Sequence, residues 1–444
     1  MSDLADAAPA GSGWTTAQPG RASIRPRSGS LAGQAVPWLV AAAILAGAPL
    51  VLTSGTALTM MSLMGIMIVF ALSYNMLLGQ TGLLSFGHAV YYGLGAFFTV
   101  HAMTVVAQNR LPVPLPVMPL VGGLAGLVFG LAFGAISTRR AGTVFAMISL
   151  GIAELVSSGS NILRSFFGGE EGITTNRTKM LRVLDLNFGP QIQVYYLIAA
   201  WCLLCALLMY GITRTPLGRL CNAVRENPER VEFLGYEPQS VRIAAFSLSA
   251  LFAGIAGSLA AINFEIANSA YLGVHQSGVV LLAAFIGGIG HFVGPVVGAV
   301  VVTLLQVSLS DLTEIWQLYF GLLFIAIVMF APGGIAGLAL MHGPLLRAGT
   351  AHRLVPAYLL ALVPFLALTA GLVALIEMAF RLLVKAGEGS AMTLAGLPVD
   401  AATPLPWLVT GAMALGGGLA LRAVRPRVAA AWDEAAAAAK EARP

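Results

Sequence analysis

Charge is what this chain lacks most. Asp, Glu, Lys and Arg make up 10% of its 444 residues, against about a quarter in soluble domains. Apolar residues make up 58% and the mean hydropathy is +0.85, which excludes a soluble globular fold. Several runs exceed the ~18–20 apolar residues that cross a bilayer core. The runs are continuous rather than alternating, so a membrane β-barrel is excluded as well. What remains is an all-α, polytopic membrane helix bundle, whose backbone polar groups are satisfied inside helices. Lysine is scarcer still: Lys179, Lys385 and Lys440 are the whole set. None follows a glycine, whereas a phosphate-binding loop of the G-x-x-x-x-G-K-[ST] type needs that pair; no ATP site is expected on this chain, and no cofactor. Of the three cysteines, Cys202 and Cys205 fall in an apolar run and Cys221 in a charged loop. Their spacing fits neither a disulfide framework nor a zinc site, and they read as buried thiols. His88 and His101 have no third partner at ligand spacing, and no nucleophile–base pair stands out, so an enzyme is not expected.

Glycine, by contrast, is abundant at 51 residues, which suits close helix–helix approach in a membrane. Candidate spans cover residues 37–53, 57–78, 83–107, 118–136, 142–163, 194–211, 243–264, 277–307, 316–332, 354–384 and 406–421. Residues 1–35, rich in Gly, Ala, Ser and Pro and carrying Arg21, Arg25 and Arg27, read as a disordered basic tail. Arginines in short loops set the topology: the tail, Arg139–Arg140 and the loop 213–242 are expected on the cytoplasmic side. The loop 164–193, with Arg164, Arg177, Lys179 and Arg182 offset by Glu170, Glu171 and Asp185, is expected outside and counts mildly against the rule. The net charge of +5 is thus read as topology, not as nucleic-acid binding. The run 277–307 decides the parity beyond it. Gly287, Gly288, Gly290, Gly294, Pro295 and Gly298 supply a turn, so it reads as two short segments. About eleven or twelve membrane segments follow, with both ends cytoplasmic. Residues 36–340 read as the main transmembrane domain. Residues 341–444 read as an extension with two further spans and an Ala-rich tail that is either a surface helix or frayed.

The densest charge lies in residues 213–242, TRTPLGRLCNAVRENPERVEFLGYEPQSVR, with five Arg and four Glu. Thr215 can cap a helix that starts at Pro216, with Leu217, Leu220, Cys221 and Val224 on one side. Asn227 can cap a second, with Pro228 first, Glu229 near the positive dipole end and Gly235 as the stop. Val231 and Leu234 are expected to line one side of it. A helix of two turns is marginal alone, so it is expected to be docked, either on its own bundle or on a partner in water.

The island and the span after it resemble the M-type permease of branched-chain amino acid ABC transporters. Four more blocks match in order: YNMLLGQTGLLSFGHAVYYGLGAF, GTVFAMISLGIAELV, LLAAFIGGIGHFVGPVVGA and YFGLLFIAIVMFAPGGIAGL. The resemblance implies an inner-membrane importer subunit for a small polar solute, branched-chain amino acids first, with urea, short amides or small carboxylates as related possibilities. It also implies the partners: a homologous second permease, two cytoplasmic ATP-binding subunits that bind the ATP, a periplasmic solute-binding protein and membrane lipid, but no nucleic acid. Arg225, Glu226, Asn227, Pro228, Glu229, Arg230, Val231, Leu234 and Gly235 would then form the ATPase-coupling segment. It stands where such permeases carry an E-A-A…G loop, with Arg230 and Val231 in place of the alanines.

Ionisable residues are costly in lipid and are candidates for function. Glu154 lies mid-span. Gln80, Thr81, Ser85 and His88 lie where glycine interrupts a helix, an arrangement that can open helix ends to a translocation path. Both groups are candidates for that path, against the plainer reading of ordinary interhelical bonds. An ion-coupled carrier or facilitator acting without an ATPase is the alternative function; it would need several acidic groups near the midplane, and the chain offers one.

Overall fold

The computed structural model describes residues 31–181, 187–385, 387, 389–394 and 396–441. The residues before Ser54 and those from Ser54 onward form separate compact units. The first holds one helix, α1 (Leu31–Val51), with Pro37 and Pro49 inside it. The expected basic tail therefore ends earlier than residue 35, and its first thirty residues lie outside the described ones.

The second unit strings together α2 (Gly55–Thr81), α3 (Ala89–Asn109), α4 (Met118–Ser137), α5 (Thr143–Ile162), the short α6 (Arg164–Phe167) and α7 (Gln191–Arg214). The charged island folds as α8 (Pro216–Glu226) and α9 (Pro228–Phe233). Then come α10 (Pro238–Phe264), α11 (Val274–Gly287), α12 (Gly294–Leu312), α13 (Trp316–Phe330), α14 (Gly334–Arg347), α15 (Val355–Leu383) and α16 (Pro404–Glu441). Among the described residues, nine helices are long and apolar enough to cross a membrane, or ten with the bent pair α13/α14 as one span. Two shorter apolar helices, at Ala35–Val51 and Val274–Gly287, bring the segments to twelve, in keeping with the expected all-α membrane bundle.

Helix α10 is the hub, its span 78% buried, against α4, α3 and α2. Small residues make that possible: a Cβ on Gly254 would sit 2.1 Å from the Gly122 carbonyl oxygen, and one on Gly257 1.8 Å from that of Tyr92. With lipid as apolar as the helices, such backbone approach is what holds them together.

Three outcomes differ from the sequence reading. The span expected from residue 83 starts at Ala89, because Gly82 ends α2 in the left-handed region at φ 71°. Past residue 332, where no further segment was expected before residue 354, the helix resumes as α14, bent 41° from α13, and the chain breaks only at residues 348–354. Finally, α16 continues unbroken for 38 residues, so the Ala-rich tail is its last turns, with Ala435 and Ala439 buried against Leu345 and Leu354. A hairpin of β3 (Ala391–Leu394) and β4 (Leu397–Asp400), pairing Ala391 with Asp400, joins α15 to α16; alternation this short gave no sequence signal.

The loop after α6 is tied to the end of α10 opposite the island. Strand β1 (Ile173–Thr174) pairs with β2 (Ile266–Ala267). Arg177 donates to the carbonyls of Phe188 and Asn263, and its backbone N–H to Glu265 Oε1 at 2.8 Å. This arginine, which counted against the topology rule, thus closes a loop. Arg182 and Asp185 of the same loop lie outside the described residues.

Candidate functional site

The island's helices are built as their caps dictate. Thr215 Oγ1 accepts from the Gly218 N–H at 3.4 Å, and Asn227 Oδ1 from the Arg230 N–H at 3.0 Å. At the other end of α9, Gly235 takes φ 84°. Its N–H donates to the Glu232 carbonyl and that of Tyr236 to the Val231 carbonyl, the paired closure that a left-handed glycine permits. Val231, with Cys221 and Val224 of α8, packs on Val241 and Ala245 of α10. That anchor holds a six-residue helix that would not persist alone. Burial also pushes the Cys221 thiol up to about 11, so it is unreactive at neutral pH.

The side presented outward is not the expected one. Val231 is 1% exposed, whereas Leu234 is 67% exposed and does not share its face. Phe233 at 91% and Tyr236 at 51% complete an uncovered apolar tip, with Glu226, Glu229, Arg230 and Glu232 exposed around it. Phe233 and Tyr236 were missed because a two-turn helix is too short for periodicity to fix its buried face.

Arg225 does not face outward as a free contact. Its Nη1 donates to the Gly79 carbonyl, and its stem lies 3.2 Å from where a Gly82 Cβ would be. The island is thereby fastened to the end of α2. A charged hydrogen bond contributes about 1.5–3 kcal/mol. Arg225→Ala should therefore loosen α8 from α2, seen as faster amide exchange across residues 217–226 with the rest of the bundle unchanged.

That same end of α2 touches the Gly-rich turn between α11 and α12: a Gly79 Cβ would come 3.1 Å from the Ile289 carbonyl oxygen. The turn is packed backbone on backbone. A Cβ on Gly287 would meet the Gly294 oxygen at 2.0 Å, one on Gly294 the Gly288 oxygen at 1.9 Å, and one on Gly298 the Ala283 oxygen at 1.9 Å. Gly288, at φ 109°, also abuts Gly333, and Pro295 opens α12. Gly290 differs from its neighbours, with open space around it.

Between Gly82 and Ala89 the chain turns back along α2. His88 Nε2 lies 3.0 Å from Ser73 Oγ, and Ser73 is eight residues before the end of α2, roughly 12 Å along its axis. Helix α3 therefore begins inside the bundle. Ser73 Oγ also lies 2.7 Å from the Phe70 carbonyl oxygen, which can only accept. Tyr74 Oη donates to the Ser85 carbonyl, Ser149 Oγ accepts from the Phe86 N–H, and Ser277 Oγ accepts from the Ala89 N–H. Among the described residues His88 Nδ1 and Ser85 Oγ have no hydrogen-bond partner. The structure thus brings Ser85 and His88 into one buried polar node, joined by Ser73, Ser149 and Ser277, serines that sequence reasoning passed over as common in apolar helices. Gln80 and Thr81 are not in it: Thr81 bonds back to the Leu77 carbonyl at 2.5 Å, at the island end. Glu154 is not in it either. It is exposed on α5, roughly 140° around the helix from the inward Ser149.

Phe70 connects this node to a cavity nearer the far end, stacking on the His88 ring at a centroid distance of 5.5 Å. The cavity, about 290 Å³, has Ile66, Met67 and Phe70 on one wall and Gln276, Thr303 and Gln306 on another. Among the described residues no carboxylate or base lines it, and the buried Thr303 Oγ1 has no hydrogen-bond partner. Its residues come from separate helices, so no local pattern announced them; the two glutamines inside apolar runs were the available hint.

A bundle of membrane-length helices with an interior amphipathic cavity, linked through packed contacts to a rigid exposed elbow, defines a multi-pass transport permease. The chain belongs to the family described as branched-chain amino acid transport system / permease component, which matches residues 56–332. It is 27% identical over 320 residues to the high-affinity branched-chain amino acid transport system permease protein LivM of Escherichia coli (strain K12), covering 67% of this chain and 74% of that protein. It is 25% identical over 286 residues to permease protein BraD of Pseudomonas aeruginosa, covering 61% and 91%. It is also 25% identical over 285 residues to permease protein LivH of the same E. coli strain, covering 61% and 90%. No solved structure matches the chain.

Proposed function

We propose that this chain is one permease subunit of an ATP-driven importer for branched-chain amino acids in a bacterial inner membrane, with both ends cytoplasmic. The observation that carries the reading is the uncovered apolar tip Phe233–Leu234–Tyr236 on a helix whose other face is anchored. A pair of ATP-binding subunits receives that tip and binds the ATP. A second permease resembling this one completes the path, as likeness to both LivM and LivH suggests. A periplasmic solute-binding protein delivers the solute at the far end. Movement of α9 then passes through Arg225 to the end of α2, and along α2 to the His88 node and the cavity wall at Phe70.

The cavity suits a small zwitterion with an apolar side chain. Ile66, Met67 and Phe70 offer the apolar wall, which favours a branched side chain over urea or a short amide. Glutamine amides can accept from an ammonium and donate to a carboxylate. Its uncharged lining counts against ion coupling, which needs a group that titrates or holds the ion at the site. Replacing Gln276 and Gln306 together by leucine should raise KM for leucine uptake about thirtyfold, since two hydrogen bonds of about 1 kcal/mol each are lost.

The test is reconstitution in proteoliposomes. ATP-dependent leucine uptake that needs this chain, the second permease and the ATP-binding subunits supports the proposal; uptake by this chain alone, driven by a pH gradient, overturns it.

A further inference from the structure

The extension beyond the family match carries a groove that the transport reading does not use. It holds about 770 Å³ and lies where α13, α14, α15 and α16 meet. The small Ala361 and Gly418 form part of its floor, and its rim carries Arg422, Arg425, Trp432 and Asp433. Helix α16 has no charged residue from Pro404 to Leu421, eighteen residues that rise about 27 Å, the thickness of a bilayer's hydrocarbon core. Arg422 follows at once, so the groove straddles the boundary between hydrocarbon and water. Among the described residues neither Arg422 nor Arg425 has an ion-pair partner, and Asp433 is the one acid on the rim against the two.

We propose that this groove seats one anionic phospholipid, its phosphate held by Arg422 and Arg425 and an acyl chain lying over Ala361 and Gly418. Three features favour that occupant. Apart from its charged residues the lining is apolar. The rim is net cationic at headgroup depth, where arginines attract anionic lipid. And α15 and α16 are each only 17% buried, leaving the groove open to the bilayer. A guanidinium fork suits a phosphate better than the ammonium of a zwitterionic headgroup.

The experiment uses the full chain in bilayers containing phosphatidylglycerol or phosphatidylcholine with brominated acyl chains, which quench nearby tryptophan. A Leu421→Trp reporter, in the groove lining at the hydrocarbon edge, is read by subtracting the signal of the chain without it. At equal mole fraction, phosphatidylglycerol should quench that reporter at least threefold more, and Arg422→Gln with Arg425→Gln should bring the ratio to about one. Asp433→Asn, a change that keeps both arginines, should raise it. Equal quenching by both lipids, or a ratio that survives the double variant, overturns the proposal. So does an absence of quenching by either, which would mean that protein covers the groove.

Discussion

Replacing Phe233 and Leu234 together by serine is expected to abolish ATP-driven uptake while leaving the melting temperature of the isolated chain unchanged. Phe233 is 91% and Leu234 67% exposed, so within this chain little is lost. At an interface, a central aromatic anchor carries about 2–4 kcal/mol, which is about thirtyfold in affinity at the low end. The opposite face gives the control. Val231→Ser places a hydroxyl among Cys221, Val224 and Val241 and should melt α9 itself, visible as amide exchange across residues 228–235. Gly235→Pro should do the same, since a proline ring fixes φ near −65° and the position needs φ 84°. Charge reversal at Glu229 removes a dipole contact of at most about 1 kcal/mol, so it is expected to act on the partner more than on the helix. Uptake retained by the Phe233/Leu234 variant would remove the tip from the mechanism.

The second large effect concerns the turn between α11 and α12. Gly298→Val should leave little folded protein, because its Cβ would lie 1.9 Å from the Ala283 carbonyl oxygen, and backbone cannot yield as a side-chain tip can. Gly294→Ala meets the Gly288 oxygen at the same distance; overpacking of this kind costs about 1–3 kcal/mol or more. Gly290→Ala, in open space, should be neutral. Thermal melting in detergent checks the series. Equal tolerance at Gly290, Gly294 and Gly298 would mean that the glycines serve flexibility and not close packing.

Elements with strong local chemistry were legible in the sequence. The apolar runs gave the helices, Gly82 the interruption after α2, and the Gly-rich run the split between α11 and α12. Thr215, Asn227 and Gly235 gave the island's caps, since capping is decided by one side chain and its nearest amides. What depends on tertiary contact was not legible. Val231 and Phe233 exchange roles because the buried side of α9 is chosen by α10. Arg225 belongs to α2 because Gly79 lies beside it, more than a hundred residues away in the chain. Glu154 drew attention as a charge within a span, yet it points away from the node. Ser73, Ser149 and Ser277 do the bonding there, and serine in a membrane helix carries no signature. No helix was expected between residues 332 and 354, yet α14 and the last turns of α16 bury small and apolar residues against each other, a contact that no local pattern announces.

The central claim is that the island's tip, through Arg225 and α2, moves the cavity. It is tested most directly by placing a reporter thiol in the cavity, Gln306→Cys, and measuring its maleimide labelling in proteoliposomes with the ATP-binding subunits, with and without ATP. The native thiols Cys202, Cys205 and Cys221 are buried and should compete little. The labelling rate is expected to change several-fold on adding ATP, and to lose that response when Phe233 and Leu234 are serine or when Arg225 is alanine. A response that persists in both variants would contradict the account, as would a labelling rate indifferent to ATP in a complex that transports.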